Sequence, residues 1–332
     1  MSTHEYDDNM RLDNEFIKGN LSFLVKGNKC RLLDGRRTTG YIEKYDEDSA
    51  MFRWKITKYE DKGKHWDLPA ESVTKFQFEK GSEQLSENEV SIIKEKIKKY
   101  KENLYIEAKE SEKIKTEAVI AEREKEIKKW LKDNSMFIKS NKKLNFDSKE
   151  GPSYLSEDLT EYMKLKGLYD IERKTAETMV LNPKSGEWIK GMEIMLGEMG
   201  LVSYNGRIPR TKGIFTGLGS KNKRYKYLIN RLAFVRAYFN LLKTKEIVIY
   251  RGMSNENDWK DIPRTLLACT LSYDVAKDFS DFDRESKYRI SYIIKMTCSV
   301  KKLFMTYIET QALNRQYKEA EAIILYDRKI TI

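Results

Sequence analysis

Two glutamates near the end of this 332-residue chain, Glu319 and Glu321, stand at a spacing that suits joint chemistry. They belong to "YKEAEAIILY", in which an apolar run follows the second glutamate and predicts a buried strand. Side chains two positions apart in a strand lie on one face, roughly 6 to 7 Å apart along the chain. Two such carboxylates can divide the work, since one stabilises a developing cation while the other removes a proton. The alternative is an edge strand whose two charges prevent pairing with another chain.

Two other stretches of the C-terminal half suit an anionic ligand. In "IVIYRGM", Arg251 and Gly252 follow an apolar strand, where a guanidinium can bind an anion and a glycine lets the backbone approach it. In "LACTLSYDVAKDFS", the hydroxyls of Thr270 and Ser272 stand between a strand and a short helix that contains Phe279. Each stretch also has a structural interpretation, because strand-end arginines are commonly solvated and Ser272 is a typical helix N-cap.

Taken in order, the three stretches resemble one family. YRG, then a hydroxyl-bearing strand leading into V-A-x-x-F, then E-x-E before an apolar strand, are similar to the R-S-E class of mono-ADP-ribosyltransferases, the cholera-toxin-like group of bacterial toxins and phage enzymes. The resemblance covers residues 245–332 by motif and residues 155–245 by general layout. One departure concerns the Ser-Thr-Ser element, which aligns either with Ala268-Cys269-Thr270 or, two residues later, with Thr270-Leu271-Ser272.

The resemblance implies an enzyme with NAD⁺ as its substrate and a role for each motif residue. Glu321 would bond the ribose 2′-hydroxyl and stabilise the oxocarbenium ion as nicotinamide leaves. Glu319 would orient or deprotonate the incoming nucleophile. Arg251 would hold the phosphates or ribose, and Thr270 would support both the nicotinamide ribose and the catalytic glutamate. The full set implied to bind NAD⁺ is Arg251, Gly252, Thr270, Ser272 and Phe279.

The acceptor of ADP-ribose would be a macromolecule, and the sequence leaves its class open. The resemblance implies that the segment 309–318 meets the target, with Gln316 and Tyr317 among the contacts. In this family E-x-E, as opposed to Q-x-E, usually goes with protein arginine, which slightly favours a protein target. RNA or DNA follows closely, because a base amine could attack the same oxocarbenium ion.

Charge is what favours a nucleic-acid target. The chain has a formal net charge of +11, and residues 205–245 contain eleven Lys or Arg and no Asp or Glu. A concentrated basic segment indicates a polyanionic partner, although a solvated basic face without a partner is also common. The alternative function is therefore a non-catalytic nucleic-acid-binding protein that acts through this segment and an N-terminal barrel. The candidate target-binding residues here are Lys221, Lys223, Arg224 and Lys226.

Composition narrows the class of protein. With 40% hydrophobic and 11% aromatic residues, the chain is too apolar to be intrinsically disordered. It has neither an apolar run of about 18 residues nor a signal-peptide pattern, so no membrane partner is expected. Three widely spaced cysteines fit a reducing cytoplasm, and two histidines without CxxC argue against a metal site. A cytoplasmic toxin or effector is the expected setting, with an inhibitor or antitoxin chain that could dock on the N-terminal region.

Patterning divides the chain before these motifs into three regions. Residues 1–19 are predicted to be an acidic tail. Residues 20–82 contain five short β-rich segments between turn signals and predict a small SH3-like β-barrel, with "LSFLVKG" as its first strand. Residues 83–151 open with a capping box, Ser86 and Glu89, and predict a long charged helix followed by a linker over 135–152.

The remaining region, residues 152–332, is predicted to be helical first and β-rich afterwards. Its strongest helical pattern is "SKNKRYKYLINRLAFVRAYFNLLK", with an apolar face and basic residues on the outer side. Five strand patterns follow from Glu246 onwards. The expected class is α+β, and the resemblance implies an ADP-ribosyltransferase fold, a helical half followed by a split β-sandwich.

Overall fold

The computed structural model describes residues 21–33, 38–58, 61–140, 153–181, 186–204, 212–255, 265–281, 290–315 and 318–326. The chain is an α+β protein with two antiparallel sheets, as the sequence predicts. It divides into two compact units, Met1–Ala108 and Lys109–Ile332. Within the described ranges, no helix is both long and apolar enough to cross a bilayer. The predicted acidic tail lies outside them.

The first unit is built on one five-stranded antiparallel sheet in the order β4-β3-β2-β1-β5. Burial alternates along β3, where Phe52, Trp54 and Ile56 face the core. The Phe76 ring packs edge to face against the rings of Phe52 and Trp54, whose centroids lie 5.7 and 4.8 Å away. The strands are β1 Lys29–Leu32, β2 Thr39–Asp46, β3 Met51–Ile56, β4 His65–Pro69 and β5 Phe76–Phe78.

Two predictions for this unit were wrong. The segment "LSFLVKG" does not start as a strand, because Leu21–Phe23 forms a 3-10 turn whose three residues are buried. The described strands do not close into a barrel either, since β4 and β5 are the two edges of the sheet and pair with β3 and β1 alone. The sequence pattern correctly indicated a β-rich unit. It does not determine whether the two edge strands of the sheet pair with each other.

The long charged helix, α1 (Glu87–Asn134), is confirmed. It begins with the predicted capping box, in which the Ser86 N–H donates to the Glu89 carboxylate over 2.8 Å. Ile93 belongs to the core of the first unit, whereas Ile120 and Ile127 are fully buried in the core of the second. The two compact units therefore divide within this helix, between residues 108 and 109, and not at the predicted linker.

The second unit begins with the rest of α1 and contains seven further described helices. The first of them, α2, falls inside the predicted linker, and its Phe137 is buried with the ring stacked 6.2 Å from that of Tyr238. The helices are α2 Met136–Ser140, α3 Ser153–Leu165, α4 Tyr169–Leu181, α5 Glu187–Glu198, α6 Lys221–Leu241, α7 Tyr273–Asp281 and α8 Ala312–Arg315.

Helix α6 is the central helix of this unit. Every residue from Tyr227 to Phe239 is buried, so this part of the helix is enclosed on all sides. The prediction of a basic outer face on this part of the helix was therefore wrong. Arg231 and Arg236 stand at positions that the helical pattern places outside, yet they are only 0% and 4% exposed.

A five-stranded antiparallel sheet in the order β8-β6-β7-β10-β9 packs with these helices. The strands predicted from Glu246 onwards are confirmed, apart from a 3-10 turn at Val300–Lys302. All five described strands of the unit belong to this one sheet. They are β6 Glu246–Asn255, β7 Leu266–Thr270, β8 Ile290–Ser299, β9 Leu303–Thr306 and β10 Glu321–Leu325.

Candidate active site

A cavity of ≈ 300 Å³ opens beside the central strands of this sheet, and we call it the carboxylate cavity. It brings together six of the seven predicted NAD-binding and catalytic residues, which come from β6, β7, α7, the start of β10 and the turn before it. The sequence places them in three separate stretches, so their convergence is a property of the fold. The lining residues are Met179, Val180, Tyr250, Arg251, Gly252, Ala268, Cys269, Thr270, Phe279, Leu313, Glu319 and Glu321.

Strand register aligns three of the polar side chains. Thr270, at the end of β7, pairs with Tyr250 of β6 on one side and with Glu321 of β10 on the other. Directly paired residues of an antiparallel sheet project from the same face, with Cβ atoms about 4.5 to 5.5 Å apart. The phenol, the hydroxyl and the carboxylate therefore form one row across three neighbouring strands.

The two glutamates reach the cavity by a different route from the predicted one. Strand β10 begins only at Glu321, and both Lys318 (φ 51°) and Ala320 (φ 47°) have left-handed backbones. The prediction that an extended strand directs both side chains was therefore wrong, although both carboxylates line the cavity.

Thr270 holds the turn that carries these glutamates. Its hydroxyl donates to the carbonyl oxygen of Glu319 over 2.6 Å, and the Leu271 N–H donates to the carbonyl of Ala320 over 2.9 Å. Left-handed backbone costs a non-glycine residue free energy and persists where surrounding contacts enforce it. Thr270 thus supports the glutamates through their backbone.

Burial disfavours the ionised form of the Glu319 and Glu321 carboxylates. Burial and, to a smaller extent, the negative charge of Glu319 raise the pKa of Glu321 to about 7. Burial also raises the pKa of Glu319. Among the described residues, no lysine or arginine offsets either effect. A ligand that brings positive charge next to Glu321 would favour its ionised form.

Arg251 lies in the cavity wall between β6 and β7. Its Nη1 donates to the carbonyl of Ala268, and its Nε lies 3.2 Å from the Met253 sulfur. These contacts orient the guanidinium at the cavity, where five donors in a planar fork suit a phosphate or a diol. Ala268, which one alignment equates with the first serine of Ser-Thr-Ser, offers this carbonyl and no hydroxyl.

Gly252 has a structural reason to be glycine. A Cβ at this position would lie 1.6 Å from the carbonyl oxygen of Ala276, because α7 packs directly on β6. The glycine also lines the cavity, so the predicted approach to a ligand is compatible with this packing.

The remaining predicted NAD-binding residues occupy different environments. Phe279 lines the cavity and is 44% exposed, which places its ring where a ligand can contact it. Ser272 is buried, does not line the cavity, and accepts a hydrogen bond from the Val275 N–H over 3.4 Å. Ser272 is thus the N-cap of α7, and Thr270 is the hydroxyl of this stretch that reaches the cavity.

The predicted target-binding residues separate into three groups. Gln316 and Tyr317 lie outside the described residues. Lys221, Lys223 and Lys226 are exposed on α6, where Lys221 forms an ion pair with Glu198 at 2.5 Å.

Arg224 corrects the prediction, because it is fully buried. Its guanidinium donates to the carbonyls of Gly219, Trp188 and Ile214 and lies 4.1 Å from the centre of the Trp188 ring. Its charge is therefore used inside the unit and is not presented to a partner.

Two further arginines of the basic segment are also used internally. Arg231 forms an ion pair with Glu309 at 2.7 Å, and Arg236 binds Glu117 through both terminal nitrogens. The charge excess that favours a nucleic-acid partner is thus smaller at the surface than in the sequence. Glu309, predicted to open the target-contacting segment, is itself fully buried.

Sequence reasoning missed several lining residues. Tyr250 precedes Arg251 in YRG and could have been selected as its neighbour, whereas Met179, Val180 and Leu313 lie in apolar helical patterns without any local sign of a site. Within the described ranges, no group of three or more His, Cys, Asp or Glu could hold a metal ion.

Comparison with known proteins does not add to this picture: no protein-family model, no curated protein and no solved structure matches the chain.

Proposed function

We propose that this protein is a mono-ADP-ribosyltransferase of the R-S-E class, which cleaves NAD⁺ and transfers ADP-ribose to a macromolecular acceptor. The observation that carries the proposal is that Arg251, Thr270, Glu319 and Glu321, taken from three separate motifs, line one cavity. Motif order alone does not require this convergence. An arginine and two carboxylates around one cavity suit a ligand with both a phosphate and a positively charged ring.

NAD⁺ has this combination of charges. Its pyrophosphate would be bound by Arg251, and its nicotinamide ribose would lie beside Glu321 and Thr270, with Phe279 at the exposed wall. A cavity of ≈ 300 Å³ is at the small end for ligand sites, which suits one end of a dinucleotide.

The proposed reaction follows from these charges. The bond between ribose C1′ and the nicotinamide nitrogen breaks, and its electron pair neutralises the ring nitrogen. Ionised Glu321 stabilises the oxocarbenium ion that forms, as preorganised charge does at developing charges generally. Glu319 accepts the proton that the acceptor loses as its nitrogen bonds to C1′.

A protein arginine is the acceptor that we favour. The E-x-E resemblance supports it, and the internal use of Arg224, Arg231 and Arg236 weakens the charge argument for a nucleic acid. The family's split fold and a toxin or effector setting are further parts of this proposal, supported by the same resemblance.

Labelled NAD⁺ tests the proposal. The purified chain and Glu321→Gln are incubated with ADP-ribose-labelled NAD⁺ and cell lysate, and aliquots are then digested with protease or with nuclease. Label that requires Glu321 and is lost with protease alone identifies a protein acceptor, and label lost with nuclease alone identifies RNA or DNA. Absence of both label and NAD⁺ hydrolysis would refute the proposal and favour the nucleic-acid-binding alternative.

A further inference from the structure

Arg231 lies on helix α6 and is fully buried, and we call its surroundings the Arg231 cluster: Arg231, Glu172, Glu309, Thr306 and Thr310. Arg231 donates through Nη2 to Glu309 over 2.7 Å and to the Thr310 hydroxyl over 2.5 Å. Its Nε lies 3.5 Å from a carboxylate oxygen of Glu172. Arg231 and Glu309 both have side chains that are 0% exposed.

Glu309 uses its remaining acceptors on the end of strand β9. Its carboxylate accepts from the Thr306 N–H over 2.7 Å and from the Thr306 hydroxyl. These bonds fix the turn at residues 306–310, so Arg231 is connected through Glu309 to the edge strand of the sheet.

This turn is hydrogen-bonded directly to residues 319–322, the segment that carries the two cavity glutamates. Thr306 pairs with Ala322, and the Tyr307 N–H donates to the carbonyl oxygen of Glu321 over 2.8 Å. On the other side of the segment, the Thr270 hydroxyl holds the Glu319 carbonyl. The backbone that carries both carboxylates is therefore held from β7 on one side and from the turn at 306–310 on the other.

The cluster reaches the cavity wall by two more routes. Glu172 lies on α4, the helix that also supplies Met179 and Val180 to the carboxylate cavity. Thr310 precedes α8, which supplies Leu313. One guanidinium thus joins three of the elements that shape the cavity: α4, α8 and the segment before β10.

We propose that Arg231 and Glu309 are positioning residues of the active site, which hold the turn at residues 306–310 so that Glu319 and Glu321 face the cavity. Buried ion pairs contribute little net stability compared with apolar packing, and fixing one geometry is a use for which they are suited. The inference concerns the geometry of the segment, and its consequence for catalysis rests on the proposed function.

The test compares two isosteric substitutions, each of a glutamate that forms an ion pair with an arginine of helix α6. Glu309→Gln keeps an oxygen that can accept from Arg231 and from the Thr306 N–H, but it removes the charge. Glu117→Gln removes the charge that pairs with Arg236, which donates to Glu117 over 2.5 and 3.0 Å and to the Lys301 carbonyl over 2.8 Å. None of these three residues lines the cavity. Urea is added to the more stable variant so that both are compared at equal unfolding free energy.

The first readout is amide hydrogen exchange, which requires no enzymatic activity. The Tyr307 and Leu271 N–H groups, which donate to Glu321 and Ala320, are expected to exchange about tenfold or more faster in Glu309→Gln than in Glu117→Gln. Equal exchange of these amides in the two variants would overturn the proposal.

The second readout is nicotinamide release. We expect kcat to fall about tenfold or more in Glu309→Gln and little in Glu117→Gln, with KM for NAD⁺ nearly unchanged, because misplaced catalytic groups lower the rate of the chemical step. Equal loss of kcat in both variants would show a purely structural role and reject the proposal. Faster exchange in Glu309→Gln in a protein whose wild type has no NAD⁺ activity would support the positioning and reject the proposed function.

Discussion

Two glutamates of the second unit, the fully buried Glu309 and the half-buried Glu321, lie in different electrostatic settings. In the Arg231 cluster, Glu309 is completely enclosed but accepts hydrogen bonds from a guanidinium and from Thr306. In the carboxylate cavity, Glu321 has another carboxylate, Glu319, as the charged neighbour that shifts its pKa. No described cation offsets this effect, and burial raises the pKa of Glu321 to about 7.

The two glutamates differ in whether the fold supplies a cationic partner. Where Arg231 is supplied by the fold, Glu309 holds a turn and is paired with a cation. Where the fold leaves the cation out, burial costs free energy that a positively charged ligand or transition state can recover. Positive charge brought into the carboxylate cavity by a ligand would therefore be stabilised by Glu321.

The largest effect is expected when the cation of the Arg231 cluster is removed. Arg231→Met leaves Glu172 and Glu309 buried without their partner, which should lower the free energy of unfolding by about 3–5 kcal/mol. The half-buried Arg251 faces the cavity, so Arg251→Met should cost less stability while weakening NAD⁺ binding. Urea denaturation of both variants measures the two changes in unfolding free energy. Equal decreases would remove the distinction between the two regions.

A smaller effect of opposite sign is expected for Glu321→Gln. The pKa of Glu321 is higher in the folded state, about 7, than in the unfolded chain, so the folded protein keeps a proton that the unfolded chain loses. The wild type therefore loses stability as pH rises from about 4.5 to 7. Glutamine has no such loss, and the variant should be more stable than the wild type by ~1–3 kcal/mol at pH 8.

Thermal or urea unfolding at pH 4 and pH 8 measures this difference. We expect the two proteins to be nearly equal in stability at pH 4, where the Glu321 carboxyl is protonated in both states. A variant that is less stable than the wild type at pH 8 would show that Glu321 has a cationic partner, and the cavity would then resemble the Arg231 cluster.

The smallest effect concerns the coupling between the two cavity carboxylates. The charge of Glu319 contributes to the raised pKa of Glu321, so Glu319→Gln should move the Glu321 titration towards lower pH. Carbon-13 NMR of labelled glutamate follows this titration without any need for activity. An unchanged midpoint would mean that burial alone accounts for the shift and that the two carboxylates act independently.

The local motifs could be predicted from the sequence because each depends on a short stretch of chain. The capping box at Ser86, the strands from Glu246 onwards and the residues of the three motifs follow from spacing and residue type. Convergence of Arg251, Thr270 and Glu321 required the order of strands in the sheet, which periodicity does not encode.

Burial of the basic helix could not be predicted, because its partners are distant in sequence. Arg231 is neutralised by a carboxylate 78 residues later, and Arg236 by one 119 residues earlier. The orientation of Glu319 was missed for a similar reason. The left-handed backbone at Ala320 is held by the Thr270 hydroxyl across the sheet, and no local signal at residues 318–320 predicts it.

The most direct test of the central claim is the rate of nicotinamide release from NAD⁺ at pH 8 by the wild type and by Glu321→Gln. Glu246→Gln, which changes an exposed glutamate at the start of β6, serves as the matched control. We expect release by the wild type and the control, and a rate lower by at least about 100-fold in Glu321→Gln, as for removal of one preorganised electrostatic group. Equal release by all three proteins would contradict the assignment of Glu321 as the group that stabilises the sugar cation.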